Sequence, residues 1–230
     1  MPKLASEIRN SYYHPDGLTG LDCTVVADWD IIAKKTGIAE SGDRSKMLKG
    51  LIVNAHALRN RPVIVDIDWT NGSFSNKKVT EDELRTVIGR YFQMYWPFAG
   101  AAITPQPSDS IKAESRLGGG YILESTVGRK KLVTEVGEDR TPVRIIIDSP
   151  VLKGTITPSF SPSPQAVPGD LRRMTALDVA QQIGTQVFNL QMTMDYQTIN
   201  GFHVPRHVAF AIEGALSMNL EFAACRQIAD

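Results

Sequence analysis

Residues 193–225, TMDYQTINGFHVPRHVAFAIEGALSMNLEFAAC, alternate apolar and polar side chains through two turn signals, and the fold is decided by how that alternation is read. Successive side chains of a strand point to opposite sides. Counting back to Phe188, one side carries Phe188, Leu190, Met192, Met194 and Tyr196, and the other Asn189, Gln191, Thr193, Asp195 and Gln197. Asn200-Gly201 suits the positive φ angles of a two-residue hairpin turn. Beyond it the same parity runs through Phe202, Val204, Val208, Phe210 and Ile212, broken only at Arg206. A second turn at Glu213-Gly214 leads into Leu216, Met218, Leu220 and Phe222, opposite Ser217, Asn219 and Glu221. The stretch predicts a three-stranded antiparallel meander, apolar on one face and wet on the other.

Upstream, Leu4 to Tyr13 has helical spacing at Leu4, Ile8 and Tyr12 and is stopped by His14-Pro15-Asp16-Gly17. Leu21 to Trp29 and about Leu48 to Leu58 read as strands, as does Val63 to Trp69 with Ile64, Asp66 and Asp68 outward. Thr80-Glu81-Asp82-Glu83 has capping-box form and opens a strongly apolar helix through Leu84, Val87, Ile88, Tyr91, Phe92, Tyr95 and Trp96, ended by Pro97. Ile111 to Ser125, Lys131 to Val136 and Val143 to Ile147 read as further strands, with Gly118-Gly119-Gly120 a bend or bulge. The Pro- and Ser-rich stretch Thr157 to Gly169 reads as a loop, and Ala176 to Thr185 as a second helix. Strands joined mostly by turns, with no βαβ alternation, predict an α+β fold on an antiparallel sheet. The expectation is a single domain over residues 1–230.

Composition narrows the function. Lys plus Arg equals Asp plus Glu at 25 each, so there is no basic field for nucleic acid or an anionic membrane. No run approaches the length of a transmembrane helix, and MPKLASEIRN lacks the apolar stretch of a signal peptide. Two cysteines, Cys23 and Cys225, stand near opposite ends of the chain, as a bridge between first and last strands or as two buried thiols. Cys23 shares parity with Leu21 and Val25, whereas Cys225 shares parity with Glu221 and Asn219, so a bridge requires a bulge or a strand end that reorients one of them.

Catalytic signals are sparse. His203 and His207 lie about 13 Å apart if both sit in one strand, too far to share a metal. Asp66 and Asp68 share a strand face and are candidate paired carboxylates, with a solvated face the commoner reason for such a pair. A Ser-His-Asp arrangement has to draw on His14, His56, His203 or His207, none with a flanking signature. No metal site or cofactor is expected, and the chain reads as a non-enzyme. The methionines are more telling, because an unbranched thioether suits a surface that adapts to varied apolar shapes.

The segment Tyr196-Gln197-Thr198-Ile199-Asn200-Gly201-Phe202-His203-Val204-Pro205 resembles the late hairpin of the LolA/LolB-like periplasmic lipoprotein carriers and their lipid-binding relatives. The order of elements is similar too: helix, strands, apolar helix, strands, helix, meander. The resemblance implies a strongly curved, incomplete antiparallel barrel with helices covering its concave face and an apolar cavity between them. The ligand-lining residues are then Tyr91, Phe92, Tyr95 and Trp96 of the apolar helix and Met192, Met194, Phe210 and Met218 of the meander. Also implied are a periplasmic or secreted location, an oxidising setting that favours a Cys23 to Cys225 bridge, and as partners an apolar small molecule, a lipid or an acylated protein, with a membrane-associated receptor. The expected function is non-enzymatic binding and transport of a lipid or lipoprotein acyl chain. A secreted hydrolase using a carboxylate or histidine, and an interaction module with no ligand cavity, are the alternatives.

Overall fold

A computed structural model of the protein describes residues 2–36, 48, 50–58, 61, 63–70, 78–79, 81–86, 88–89, 110–127, 129–149, 153–162, 170–183, 186–214 and 216–229. Helix α1 spans Pro2–Arg9 and is followed by strand β1, Gly20–Ala27, and helix α2, Trp29–Thr36. Then come β2 (Leu51–Leu58), β3 (Ile64–Trp69), β4 (Ile111–Ser115), β5 (Tyr121–Val127), β6 (Lys130–Val136) and β7 (Pro142–Asp148). The chain continues with β8 (Lys153–Ser161), β9 (Arg173–Ile183), β10 (Gln186–Ile199), β11 (Phe202–Ile212) and β12 (Leu216–Ile228). Hydrogen-bonded neighbours follow the order β3-β2-β1-β12-β11-β10-β9-β8-β7-β6-β5-β4. This is the expected α+β class on an antiparallel sheet, and the sheet does not close on itself. Every adjacent pair but one is consecutive in sequence, the exception being β1 beside β12, where first meets last.

Four readings change in the structure. Ala176 to Thr185 is not a helix: residues through Ile183 belong to β9, whose Leu177 faces Pro158 of β8 and Met192 of β10 in the ladder. Alanine and glutamine favour a helix, but such propensities differ by less than about 1 kcal/mol per residue, and two flanking strands offering unpaired backbone groups outweigh them. Thr157 to Ser161 is strand rather than loop. Pro158 is tolerated there because the β7 ladder ends at Ile156, leaving Pro158 paired with β9 alone. Ile111 to Ser125 divides into two strands at the glycine run, and Trp29 opens α2 instead of closing β1. Residues 163–169, and most of 87–109, lie outside the described residues.

The chain is organised as two compact units. One comprises Met1–His14, Ala102–Met194 and Phe210–Glu213; the other comprises Pro15–Ala101, Asp195–Ala209 and Gly214–Asp230. In the first unit Ile8 of α1 is buried with Leu123 of β5 and Val136 of β6, and Leu4, Ile111, Ala113 and Tyr121 pack round them. The helix forms because Leu4, Ala5 and Ile8 share one side, and it gains stability by laying that side on the sheet. Each such aliphatic side chain contributes about 1.5–3 kcal/mol on burial. In the second unit Leu21, Cys23 and Val25 of β1, Val53, Ala55 and Ala57 of β2, and Val65, Ile67 and Trp69 of β3 form one buried face. Residues 81–86 and 88–89 are helical, in the stretch read as the apolar helix, and Leu84 and Ile88 are fully buried. Arg85 ties this helical stretch to the sheet by donating to the Val65 carbonyl at 3.0 Å.

The meander of residues 186–228 is one-sided as its alternation predicts. Met192, Met194, Val204, Val208, Phe210, Met218, Leu220 and Phe222 are buried, while Gln191, Thr193, Asp195, Ser217, Asn219 and Glu221 are exposed. Phe188, at 41% exposure, departs from the stripe at the start of β10. Cys23 and Cys225 form a disulfide. The parity conflict is resolved by a β-bulge in the β1–β12 ladder: Asp22 faces Arg226, yet Thr24 faces Ala223, so β12 holds an extra residue there. Ala224 takes φ +47° to make it, and the extra residue turns Cys225 to the side of Cys23.

Candidate functional site

On the polar face of the second unit the strand register sets a row of charged groups side by side. Asp22 of β1 faces Arg226 of β12 on one side and His56 of β2 on the other, and Asn54 faces both Thr24 and Asp66 of β3 in the next row. Cross-strand neighbours on one face are close enough to bond directly. Arg226 reaches Asp22 Oδ2 with Nε at 2.8 Å and Nη2 at 2.6 Å. His56 Nδ1 lies 3.0 Å from Asp22 Oδ1, and its Nε2 lies 2.9 Å from Asp66 Oδ2. Thr24 donates its hydroxyl proton to Asn54 Oδ1 at 3.0 Å. Asp22 is only 8% exposed although it sits on the polar face, because the imidazole and the guanidinium lie against it. A carboxylate so enclosed is tolerable because both its oxygens are hydrogen-bonded and a guanidinium matches its charge. Asp22, Thr24, Asn54, His56, Ala224 and Arg226 line a cavity of about 280 Å³. The bulge that accommodates the disulfide therefore also shapes the wall of this cavity, through Ala224.

Other sequence candidates scatter. Asp66 and Asp68 take separate partners: Asp66 Oδ2 lies 2.9 Å from His56 Nε2, while Asp68 accepts from the backbone N–H of Trp69 at 2.7 Å. His14 Nε2 lies 2.9 Å from the Arg9 carbonyl, and His203 Nδ1 lies 3.1 Å from Thr198 Oγ1. His207 Nδ1 lies 2.9 Å from Asp195 Oδ2, and its Nε2 lies 3.7 Å from Glu221 Oε1, an exposed cluster on the three strands of the meander. Among the described residues no three His, Cys, Asp or Glu side chains are placed to hold a metal. In the first unit a second cavity of about 470 Å³ opens on Thr155, Thr157, Asp178, Asn189, Gln191 and Glu213. There Asn189 donates to Glu213 at 2.6 Å.

The residues assigned to an apolar ligand divide between described and undescribed. Tyr91, Phe92, Tyr95 and Trp96 lie outside the described residues. Met192, Met194, Phe210 and Met218 are 2%, 5%, 4% and 3% exposed, so in this state their face is already covered. Neither of the two cavities is lined by any of these four. What sequence reasoning missed is the row Arg226-Asp22-His56 with Thr24 and Asn54. Its members come from β1, β2 and β12, and only the register brings residues 22, 56 and 226 together. The bulge required by a Cys23 to Cys225 bridge was the one available signal, since bulges often lie beside sites.

No family model matches the chain, and no curated protein matches it. Among solved structures it is similar to MucB in complex with MucA(peri), at 11% identity over 98% of this chain and all of that one, with a TM-score of 0.19. A score of that size carries no inference about function. No helix among the described residues is long and apolar enough to cross a membrane.

Proposed function

We propose that the protein is a non-enzymatic binder and carrier of a lipid or lipoprotein acyl chain, held on the apolar side of β10, β11 and β12 in a periplasmic or secreted setting. The observation that carries this reading is the one-sided meander: three methionines and a phenylalanine, Met192, Met194, Met218 and Phe210, occupy its buried face while the opposite face is polar. The disulfide supports the setting, because such bonds persist in oxidising compartments. Each methylene removed from water contributes about 0.8 kcal/mol, so a long acyl chain needs no ionic contact to bind. Since the four side chains are already covered, the ligand must displace protein atoms rather than enter an open space. That exchange of one apolar contact for another costs little, and flexible methionines repack round a new shape at low cost. The reading extends to Tyr91, Phe92, Tyr95 and Trp96, which the family resemblance places against the same ligand.

The test begins with protein purified from cells. Native mass spectrometry before and after solvent extraction should show a bound lipid that extraction removes. The extracted protein, checked for fold by circular dichroism, should then bind a fluorescent long-chain fatty acid with a dissociation constant on the order of micromolar. Met192→Asp should weaken that binding at least tenfold, and Met218→Gln serves if the first variant fails to fold. A folded, ligand-free protein that ignores fatty acids, phospholipids and lipopeptides would overturn the reading.

A further inference from the structure

The cavity on the polar face of the second unit has an uneven supply of hydrogen-bonding groups. Its carboxylate and amide oxygens each have a donor: Asp22 Oδ1 faces His56 Nδ1, Asp22 Oδ2 takes two guanidinium N–H groups, and Asn54 Oδ1 takes the Thr24 hydroxyl proton. Its donors are not all engaged. The two N–H groups on Asn54 Nδ2 and the pair on Arg226 Nη1 remain available, since these side chains spend only Oδ1 and the Nε and Nη2 groups on their neighbours. The guanidinium is already oriented by its contacts with Asp22, so little side-chain freedom is lost when it meets a ligand. The charge of Asp22 is matched by Arg226 and enclosed, whereas the Asp66 carboxylate, opposite Asn54 and 2.9 Å from His56 Nε2, adds a repulsion that the donors must outweigh.

We propose that this cavity binds a small oxyanion, a carboxylate or a phosphate, whose oxygens bridge the side-chain amide of Asn54 and the outer guanidinium nitrogen of Arg226. A volume of about 280 Å³ admits the oxyanion group together with a few attached carbon atoms. The bland alternative is a solvated surface in which water alone meets these donors. A ligand must outdo that water, and with one guanidinium half-engaged the affinity is modest. The site lies on the polar face, apart from the methionine stripe, so its fate is independent of the acyl-chain reading.

The full-length protein, labelled with nitrogen-15 and kept in a low-chloride buffer, is titrated separately with acetate, inorganic phosphate and acetamide up to about 50 mM while the Asn54 side-chain amide and Arg226 Nε–H signals are followed. The planar and tetrahedral anions distinguish carboxylate from phosphate, and acetamide supplies an uncharged acceptor. The expected result is a saturating shift of both signals with at least one anion, with a dissociation constant on the order of 1 mM. Asn54→Asp keeps the acceptor for Thr24 but replaces the donor with a negative charge, and it should weaken anion binding at least tenfold. Asn54→Ala serves if that variant fails to fold. Shifts that stay linear, that survive both substitutions, or that acetamide reproduces equally well would overturn the proposal.

Discussion

Asp139 sits in the turn between β6 and β7, where Thr141 donates both its hydroxyl, at 2.7 Å, and its backbone N–H, at 3.1 Å, to Oδ1. The Thr141 hydroxyl bond is the largest cause holding the Asp139 carboxyl below its ordinary range; burial opposes it, and Arg172 adds to it. A depressed folded value means that the carboxylate contributes stability above its unfolded pKa, about 3.9, and loses that contribution as pH falls through the folded value. Asp139→Asn should therefore be less stable than the parent at neutral pH, by no more than about 1 kcal/mol because the side chain is half exposed and screened. The gap should close as the pH is lowered below about 4, read by urea unfolding of both proteins at a series of pH values. A gap independent of pH would assign the effect to packing. Nothing in residues 139–141 read singly forecasts this contact beyond the general habit of aspartate to bond backbone in turns.

At the scale of elements, the glycine run between β4 and β5 shows how one turn is specified twice over. Gly118, Gly119 and Gly120 all have positive φ, at 88°, 92° and 82°, the region that disfavours a side chain. They differ in what surrounds them: a Cβ on Gly118 meets nothing within 4 Å, whereas one on Gly120 falls 2.1 Å from the Val136 carbonyl oxygen. Gly118→Ala should cost about 1–2 kcal/mol from φ alone. Gly120→Ala should cost more, above about 2 kcal/mol, because the β6 backbone has to shift. Equal losses in urea unfolding would show that the neighbour yields freely. The run was legible as a break in a strand, yet its role as a full hairpin turn depends on β5 pairing with both β4 and β6. The β9 segment makes the same point from the other side. Its composition leans to helix, and it is strand because β8 and β10 flank it.

For the molecule as a whole, the consequential link is the disulfide, which joins residues 202 positions apart across the β1–β12 pair. Closing so long a loop removes about 5 kcal/mol of unfolded-state entropy in the chain-entropy model, and removal of a native bridge commonly costs about 2–5 kcal/mol. Replacing Cys23 and Cys225 together by alanine, or reducing the bridge, should lower the urea midpoint by a corresponding amount. A loss below about 1 kcal/mol would mean that β1 and β12 pair with equal strength unaided. The bridge also couples to the polar site, since the bulge that aims Cys225 at Cys23 places Ala224 in the wall beside Asp22 and Arg226.

By itself the sequence determined the elements whose pattern is local: the meander with its Asn200-Gly201 turn, the inward and outward residues of β3, and the first helix. In each, period and turn chemistry are written in neighbouring residues, and burial follows the period because one face of a strand must leave water. It also set the condition that a Cys23 to Cys225 bridge needs a bulge. Only the tertiary structure decided that the bridge forms, that residues 173–183 are strand, and that Asp22, His56 and Arg226 meet. Those outcomes depend on which strands lie side by side and in what register, and register is a property of pairs of segments far apart in the chain.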